Sequence, residues 1–502
     1  MEFAPRFPGE IVCRQSVLTL LAVSWTRKRV LASKINFYAQ WRRRGLVELR
    51  EDPGKPSEKL LQAAWFHQRL IRENLRSTDG RSIQVLHPGF WNREAGPDFR
   101  QALLRIGDDL AVEGDIEVDL RSAGWRDHGH DSNPNFGNVR LHVVWDSDEP
   151  GPIPTLVLKS VLDSPVSELA TWFGSESADH YPEGLLGNCC GPLREIGPER
   201  RQQLLQQAGL VRLQSKAAQL RSRARQSGSE QALWEGLLRA LGYKNNVWPM
   251  QRLGELRQRL LGAPVPGIVG VQARLLGTAG LLPQELTRAQ KATDGYVRQL
   301  WDCWWRERVS FEDCGLPRSA WRFNNLRPAN HPERRLALAA HWLLDRQLPA
   351  RIERWCTREI PAQELVESLL KVFWVERDDF WSFRWTLKSK PFQKPQPLVG
   401  STRVTDLAIN VVLPWLWMRS VEGKNDTLQA QIEARYLAWP AAEDNAVLRL
   451  ARNRLLGGVP PREMKGAAAQ QGLLQIVRDF CQQSNAICEQ CRFPELVREW
   501  KI

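Results

Sequence analysis

The fold is decided by one stretch of sequence, Gly114-Asp115-Ile116-Glu117-Val118-Asp119-Leu120-Arg121. Acidic and apolar residues alternate along it with a period of two, which is the period of a β-strand. Asp115, Glu117 and Asp119 therefore share one face of the predicted strand, and the apolar residues between them share the other. We expect a half-buried strand that carries three carboxylates on one side.

Short segments of similar character flank this strand, and Gly, Pro, Asn and Asp residues separate them. The predicted strands cover residues 83–86, 102–106, 115–120, 139–145 and 155–158. A helix precedes them, with Ser57 as its cap and apolar residues at helical spacing. Together these elements predict a mixed α/β domain over residues 57–185.

Beyond residue 193 the short segments give way to long amphipathic stretches, which predict a mostly α-helical domain over residues 193–502. The predicted fold class is therefore α+β. Residues 1–56 differ from both parts because they carry the basic clusters Arg27-Lys28-Arg29 and Arg42-Arg43-Arg44. We expect this basic N-terminal extension to be poorly ordered.

The composition is that of a globular protein, with 502 residues of which 42% are hydrophobic and 25% charged. No uncharged apolar run approaches the length of a bilayer span, and the first residues lack the pattern of a secretory signal. We therefore expect a cytoplasmic protein with no membrane partner. The formal net charge of +13 is consistent with DNA or RNA as a partner.

Carboxylates at alternate positions on one strand face repel one another unless water or a cation lies between them. Mg²⁺ and Mn²⁺ prefer oxygen ligands and would relieve this repulsion. We predict that Asp98, just before the preceding strand, and Glu117 ligate such an ion, and that Asp119 completes the site. The alternative is an acidic face that is open to solvent.

Three histidines lie close to the acidic strand in the sequence, namely His128, His130 and His142, in a chain with only 8 His. Imidazole ligates metal ions and transfers protons near neutral pH. We predict that one or more of these histidines acts as a ligand or as a general base beside the three carboxylates.

The order Pro97-Asp98, a gap of one strand, and then Glu117-x-Asp119 resembles the pattern of the PD-(D/E)xK nucleases. In that pattern two acids on adjacent strands hold a metal ion, and a Lys two residues after the second acid positions or activates water. Asp119 occupies the Lys position in this chain. The chain departs from the pattern there, and Arg121 or His128 would have to supply the missing positive charge.

A longer series of motifs, in order along the chain, resembles the bacterial family of uncharacterised proteins called DUF2851. The motifs are Ser77-Thr78-Asp79-Gly80, Val85-Leu86-His87-Pro88-Gly89, Ala95-Gly96-Pro97-Asp98-Phe99, Gly114-Asp115-Ile116-Glu117, His128-Gly129-His130, Leu141-His142-Val143-Val144-Trp145, Leu326-Arg327-Pro328-Ala329-Asn330 and the terminal cysteines. The resemblance runs from about residue 57 to about residue 495. It implies no established activity.

Near the C-terminus, Cys481, Cys488 and Cys491 give the spacing C-x6-C-x2-C. Thiolates at this spacing bind Zn²⁺ or an iron–sulfur cluster, and the spacing resembles the start of the cluster loop in endonuclease III-like DNA glycosylases. The fourth position of that loop falls on Val497, so a fourth ligand has to come from elsewhere in the chain. The alternative is a set of reduced, partly buried thiols.

These patterns leave three hypotheses open. The first is a divalent-metal-dependent hydrolase, nuclease-like, that acts on nucleic acid. The second is a non-catalytic nucleic-acid-binding or scaffold protein on a degenerate nuclease fold. The third is a metal-dependent hydrolase that acts on another substrate. Metal binding between Asp98 and Glu117 separates the second hypothesis from the other two.

Overall fold

The computed structural model describes residues 36–47, 56–92, 94–147, 151–173, 185–262, 266–288, 295–458, 464–481 and 487–500. Within these ranges a mixed β-sheet with flanking helices is followed by an almost wholly helical part. The predicted α+β class is confirmed. No helix in the described ranges has both the length and the apolar character needed to cross a bilayer.

The strands of the sheet are, in chain order, β1 Ile83–His87, β2 Phe90–Trp91, β3 Phe99–Ile106, β4 Val112–Arg121, β5 Val139–Asp146 and β6 Thr155–Val157. The spatial order is β1-β3-β4-β5-β6, with β2 paired to β3. The pairs up to β4 are antiparallel, whereas β4, β5 and β6 run parallel to one another. All five predicted strands are present. The additional strand β2 has only two residues, which is too short to show a period.

Two helices complete the first part of the chain and cover the apolar side of the sheet. Helix α2 (Glu58–Phe66) begins after Ser57, whose side chain accepts a hydrogen bond from the Leu60 N–H, as the sequence predicts. Helix α4 (Val166–Phe173) follows β6. Trp65 of α2 and Trp172 of α4 pack with Ile116 and Val118 of β4 in one apolar core.

The crossover from β4 to β5 is short and irregular. It contains the one-turn helix α3 (Gly124–Asp127) and two 3₁₀ turns, His130–Ser132 and Pro134–Phe136. Parallel strands need a crossover connection, and this one places His128 and His130 beside the ends of the strands that it joins.

Helices make up most of the second part of the chain. They are α5 Cys190–Glu195, α6 Gly197–Ser227, α7 Ser229–Leu241, α8 Val247–Glu255, α9 Arg257–Leu261, α10 Ile268–Thr278, α11 Gly295–Glu307, α12 Pro332–Leu344, α13 Leu348–Thr357, α14 Leu365–Phe373, α15 Ser401–Leu407, α16 Leu413–Glu422, α17 Asp426–Ala438, α18 Ala446–Leu456, α19 Gly466–Ile476 and α20 Phe493–Glu499. Their large apolar core includes the buried tryptophans Trp234, Trp381 and Trp439.

The basic extension is not uniform. Most of residues 1–56 lie outside the described residues, and poor order there stays a prediction. Residues 37–47, however, form helix α1, which packs against α6 and the C-terminal helices. Tyr38 is fully buried and its O–H donates to Asp479 Oδ2 at 2.8 Å, while Arg42 Nε is 2.9 Å from the same oxygen. This helix is therefore part of the helical core. Its sequence alternates basic residues with apolar ones such as Tyr38 and Trp41, which form its buried face.

Candidate metal centre

The register of the central strands brings the predicted acids together. Asp98 directly precedes β3, and Phe99 pairs with Ile116 of β4, so Asp98 lies beside Glu117. A register shift between Phe99 and Ala102 marks an irregularity of β3 just after this point. On the other side of β4, the parallel pairing sets Glu117 opposite His142 of β5.

Asp98 and Glu117 are joined through the backbone. The Asp98 N–H donates to Glu117 Oε2 at 3.1 Å, and the Val118 N–H donates to Asp98 Oδ2 at 3.1 Å. Asp98 Oδ1 accepts a third hydrogen bond, from Gln62 Nε2 of α2, at 2.8 Å. Both carboxyls are therefore fixed in position by the fold itself.

A fourth carboxylate, that of Glu58, belongs to the same group and was not predicted. Glu58 is the first residue of α2, and its Oε1 accepts a hydrogen bond from Gln62 Nε2, the group that also reaches Asp98. Burial raises the pKa of Glu58, and the nearby Asp119 raises it further. No spacing in the sequence links Glu58 to β4, because only the packing of α2 on the sheet brings them together.

The crowding of these acids favours their neutral forms. Burial, followed by the charge of Glu58, raises the pKa of Asp98 to about 7. Burial, followed by the charge of Asp98, raises the pKa of Glu117 to about 9. Within the described part of the chain, no Lys or Arg lies within 4 Å of the carboxylates of Asp98, Glu117 or Asp119. A bound cation would supply the missing positive charge.

Asp119 connects the acids to the histidines. His142 Nε2 lies 2.9 Å from Asp119 Oδ2, and His128 Nδ1 lies 3.3 Å from Asp119 Oδ1. A Cβ atom at Gly124 would lie only 2.9 Å from Asp119 Cγ, so the start of α3 approaches this carboxylate as only glycine allows. Gly124 is thus a second residue of the site that sequence reasoning missed.

Within the described ranges, Asp119, His128 and His130 form a group that could hold a metal ion, because their ligand atoms all lie within 4.8 Å of one another. His130 is buried, with its ring stacked on Phe136 at a centroid distance of 3.9 Å. Neither ring nitrogen of His130 has a hydrogen-bond partner among the residues that the structure describes, and Nε2 lies 3.4 Å from Glu117 Oε1. Burial also lowers the pKa of His130, which favours the neutral imidazole that ligates metals.

The six predicted site residues are thus brought together, but their surroundings differ. The His128 side chain is 54% exposed and stands at the entrance, whereas His142 is fully buried behind Asp119. His142 is therefore placed to orient Asp119 rather than to reach a substrate. Glu117 and Asp119 are only 8% and 3% exposed, so the alternative of an open acidic face does not describe them. The ligand and catalytic roles of the six residues stay predictions.

The three terminal cysteines lie elsewhere. Cys481 follows α19 and Cys491 precedes α20, and both belong to the core that contains α1. Cys488 is buried as well. All the cysteines in the described ranges are free of disulfide bonds.

Fold and site together define an α+β protein with a candidate carboxylate–histidine metal centre on its mixed sheet. Comparison with protein families gives a narrower assignment, since residues 58–445 match the family described as protein of unknown function, DUF2851. The chain belongs to this family. The matched range contains the whole candidate centre and ends before Cys481, so it is shorter than the resemblance that the sequence motifs indicate. Neither the curated proteins nor the solved structures include a match to the chain.

Proposed function

We propose that this protein is a divalent-metal-dependent hydrolase that acts on nucleic acid. The observation that carries the proposal is the group Asp119, His128 and His130, whose ligand atoms are within 4.8 Å of one another next to Asp98 and Glu117. Carboxylates suit Mg²⁺ and Mn²⁺ whereas imidazoles suit Fe²⁺ and Zn²⁺, so a centre with both kinds of ligand suits a divalent ion such as Mn²⁺, Fe²⁺ or Zn²⁺. A bound ion of this kind lowers the pKa of water and stabilises negative charge on a reacting oxygen.

Each residue of the proposed centre has its own role in this hydrolysis. Asp119 and the two histidines hold the ion, with His142 fixing the orientation of Asp119 through its hydrogen bond. Glu117 and Asp98 face the same space and take up or release a proton during hydrolysis. The half-exposed His128 leaves one side of the centre open, as a catalytic metal site requires.

A second arrangement keeps the assignment that the sequence favours, in which Asp98 and Glu117 hold Mg²⁺ or Mn²⁺ and the histidines act as bases. Two substitutions distinguish the arrangements. If the histidine arrangement is right, His128→Gln weakens Mn²⁺ binding at least tenfold and Asp98→Asn has a smaller effect. The reverse order supports the arrangement with Asp98 and Glu117.

Nucleic acid is proposed as the substrate for two reasons. The order Pro97-Asp98 and Glu117-x-Asp119 resembles the nuclease pattern, and the chain carries a formal net charge of +13. The exposed arginines Arg100 and Arg140 lie on β3 and β5, the strands that flank β4. Contacts between such side chains and phosphates supply most of the non-specific affinity for nucleic acids. A cytoplasmic location is part of this proposal.

The proposal is tested by calorimetric titration with Mn²⁺ and by a cleavage assay on single-stranded DNA, double-stranded DNA and RNA. Asp119→Asn should abolish both metal binding and cleavage. Asp115→Asn is the matched control, because Asp115 lies on the same strand four residues away and its Oδ1 only accepts the Gln101 N–H. Metal binding without cleavage of any nucleic acid would favour the scaffold or another substrate, and no binding by the wild type would refute the metal centre.

A further inference from the structure

A second group of ligating side chains lies in the helical part of the molecule. Cys189 precedes α5, Cys481 ends the turn after α19, and Cys488 and Cys491 lie just before α20. Three of the four are buried and Cys491 is half-buried. They come from segments almost three hundred residues apart, and Cys189, Cys481 and Cys491 belong to the core that also holds α1.

The buried side chain of Arg454 joins the two segments that carry these cysteines. Its Nη1 donates to the Leu186 carbonyl at 3.2 Å, and its own carbonyl accepts the Gly187 N–H at 2.7 Å. Its Nη2 donates to Cys488 Sγ at 2.8 Å. Arg454 therefore links the loop before Cys189 to the loop that contains Cys488.

Cys189 lies close to the same arginine. A Cβ atom at Gly187 would stand 3.3 Å from Cys189 Sγ and 3.6 Å from Arg454 Nε. The neighbouring Asn188 Nδ2 donates to the carbonyl of Ile487, the residue before Cys488, at 3.4 Å. These contacts bring the segment of Cys189 to the segment of Cys488.

We propose that Cys189 is the missing fourth ligand and that Cys189, Cys481, Cys488 and Cys491 together hold a tetrathiolate metal centre. The proposal does not depend on the hydrolase assignment, since the two sites share no residue. The sequence offers no basis for choosing the fourth ligand among Cys189, Cys190, Cys303, Cys314 and Cys356, and Cys189 is followed directly by Cys190. The structure separates them, since Cys190 Sγ lies against Gly457, 2.6 Å from where a Cβ atom would stand.

Four thiolate ligands suit either a single Zn²⁺ or an iron–sulfur cluster. Among the described residues, no three of these thiols have sulfur atoms within 4.8 Å of one another, so a single Zn²⁺ would have to draw the sulfur atoms closer together. Metal analysis distinguishes the two centres, because a cluster contains acid-labile sulfide and a zinc site does not.

The experiment compares wild type, Cys189→Ala and Cys190→Ala, each purified without oxygen and without chelator. Iron, acid-labile sulfide and zinc are measured for each, together with visible absorbance. We expect bound metal in the wild type and in Cys190→Ala, either about one zinc or iron with an equal amount of sulfide, and at least a tenfold loss in Cys189→Ala. Equal metal content in all three proteins, or none in the wild type, would overturn the proposal. Zinc without sulfide would support a single-ion site, and iron with sulfide would support a cluster on the same four thiolates.

A measurement on the wild type alone covers the case in which Cys189→Ala does not fold. The loaded protein and the protein stripped of metal are each alkylated under native conditions, and the modified cysteines are found by mass spectrometry. Cys189, Cys481, Cys488 and Cys491 should become reactive together after stripping, whereas Cys190 should not change. If the reactivity of Cys189 is the same before and after stripping, Cys189 is not a ligand.

Discussion

The two candidate metal sites differ in their ligands and in their access to solvent. The centre on the sheet offers oxygen and nitrogen atoms, and His128 leaves it half open. The cysteine cluster offers sulfur atoms in the core of the helical part, where Cys189 is 4% exposed and Cys481 4%. Catalytic metal sites keep an open position and structural sites are closed by protein ligands. We therefore propose a catalytic role for the first site and a structural role for the second.

The two sites also differ in how they are supported without a metal ion. Backbone hydrogen bonds between neighbouring strands hold Asp98 and Glu117, so the sheet site is preformed. The cysteine cluster instead joins two segments that are distant in the chain. Described polar contacts between the loops before Cys189 and around Cys488 include Asn188 Nδ2 to the Ile487 carbonyl, at 3.4 Å, and those of Arg454. Because metal binding at a structural thiolate site contributes directly to folding, we expect loss of metal to cost more at the cysteine cluster.

The largest expected effect tests this difference directly. The double substitution Cys488→Ser, Cys491→Ser should lower the free energy of unfolding of the helical part by more than about 5 kcal/mol, because binding at a structural thiolate site adds to folding energy. Asp119→Asn should change the free energy of unfolding of the protein by less than about 1 kcal/mol. Urea denaturation with tryptophan fluorescence measures both variants. Comparable losses in the two would remove the distinction between a structural and a catalytic site.

A smaller loss of stability is expected from deletion of helix α1, which packs in the same apolar core as Cys189 and Cys481. A protein that begins at Ser57 loses the contacts of Tyr38 and Arg42 with Asp479 and the edge-on packing of Trp41 against Trp500. We expect a loss of about 3–5 kcal/mol in unfolding free energy.

The matched control for this truncation begins at Asn36 and keeps helix α1. It should be as stable as the full chain. Titration with Mn²⁺ should give the same affinity for the full chain and both truncated proteins, since α1 packs against α6 and the C-terminal helices and supplies no ligand to the sheet site. Unchanged stability of the protein that begins at Ser57 would show that α1 does not contribute to the core.

The sequence predicted the sheet well because strand periodicity and cap chemistry are local signals. Ser57 caps α2, and the alternation of 115–120 places the acids on β4. It did not predict that Glu58 joins the acids, because that contact depends on how α2 packs. It also took α1 for part of a poorly ordered extension, since the run Arg42-Arg43-Arg44 masks the apolar face that Tyr38 and Trp41 provide.

The candidate ligands show the same limit. Asp98, Glu117 and the histidines were found because they are close in sequence and chemically conspicuous. Cys189 could not be singled out among the other cysteines, because almost three hundred residues separate it from Cys481 and no spacing rule covers such a distance. The contacts of Arg454 gave no signal in the sequence. Contacts between distant segments are a property of tertiary packing, and a single sequence does not reveal them.

The smallest expected effect concerns Glu117 in the metal-free protein. Its pKa is raised from 4.5 to about 9, first by burial. The folded protein therefore keeps this carboxyl protonated over a pH range in which the unfolded chain has lost the proton. Stability is fully retained below pH 4.5 and falls as the pH rises toward 9. Glu117→Gln removes this loss while Oε1 of the new amide still accepts the Asp98 N–H.

We expect metal-free Glu117→Gln to be more stable than metal-free wild type by about 1–3 kcal/mol at pH 7.5, and equal to it at pH 4. Denaturation by urea at the two pH values, in the presence of EDTA, measures the difference. Asp115→Asn, on the same strand, serves as the control and should show no gain. Addition of Mn²⁺ should reverse the order at pH 7.5, because the ion stabilises the ionised carboxylate of the wild type and the amide lacks that charge. A gain in stability that persists at pH 4 would mean that the substitution acts through packing. The crowded carboxylates would then no longer indicate a cation at the sheet site.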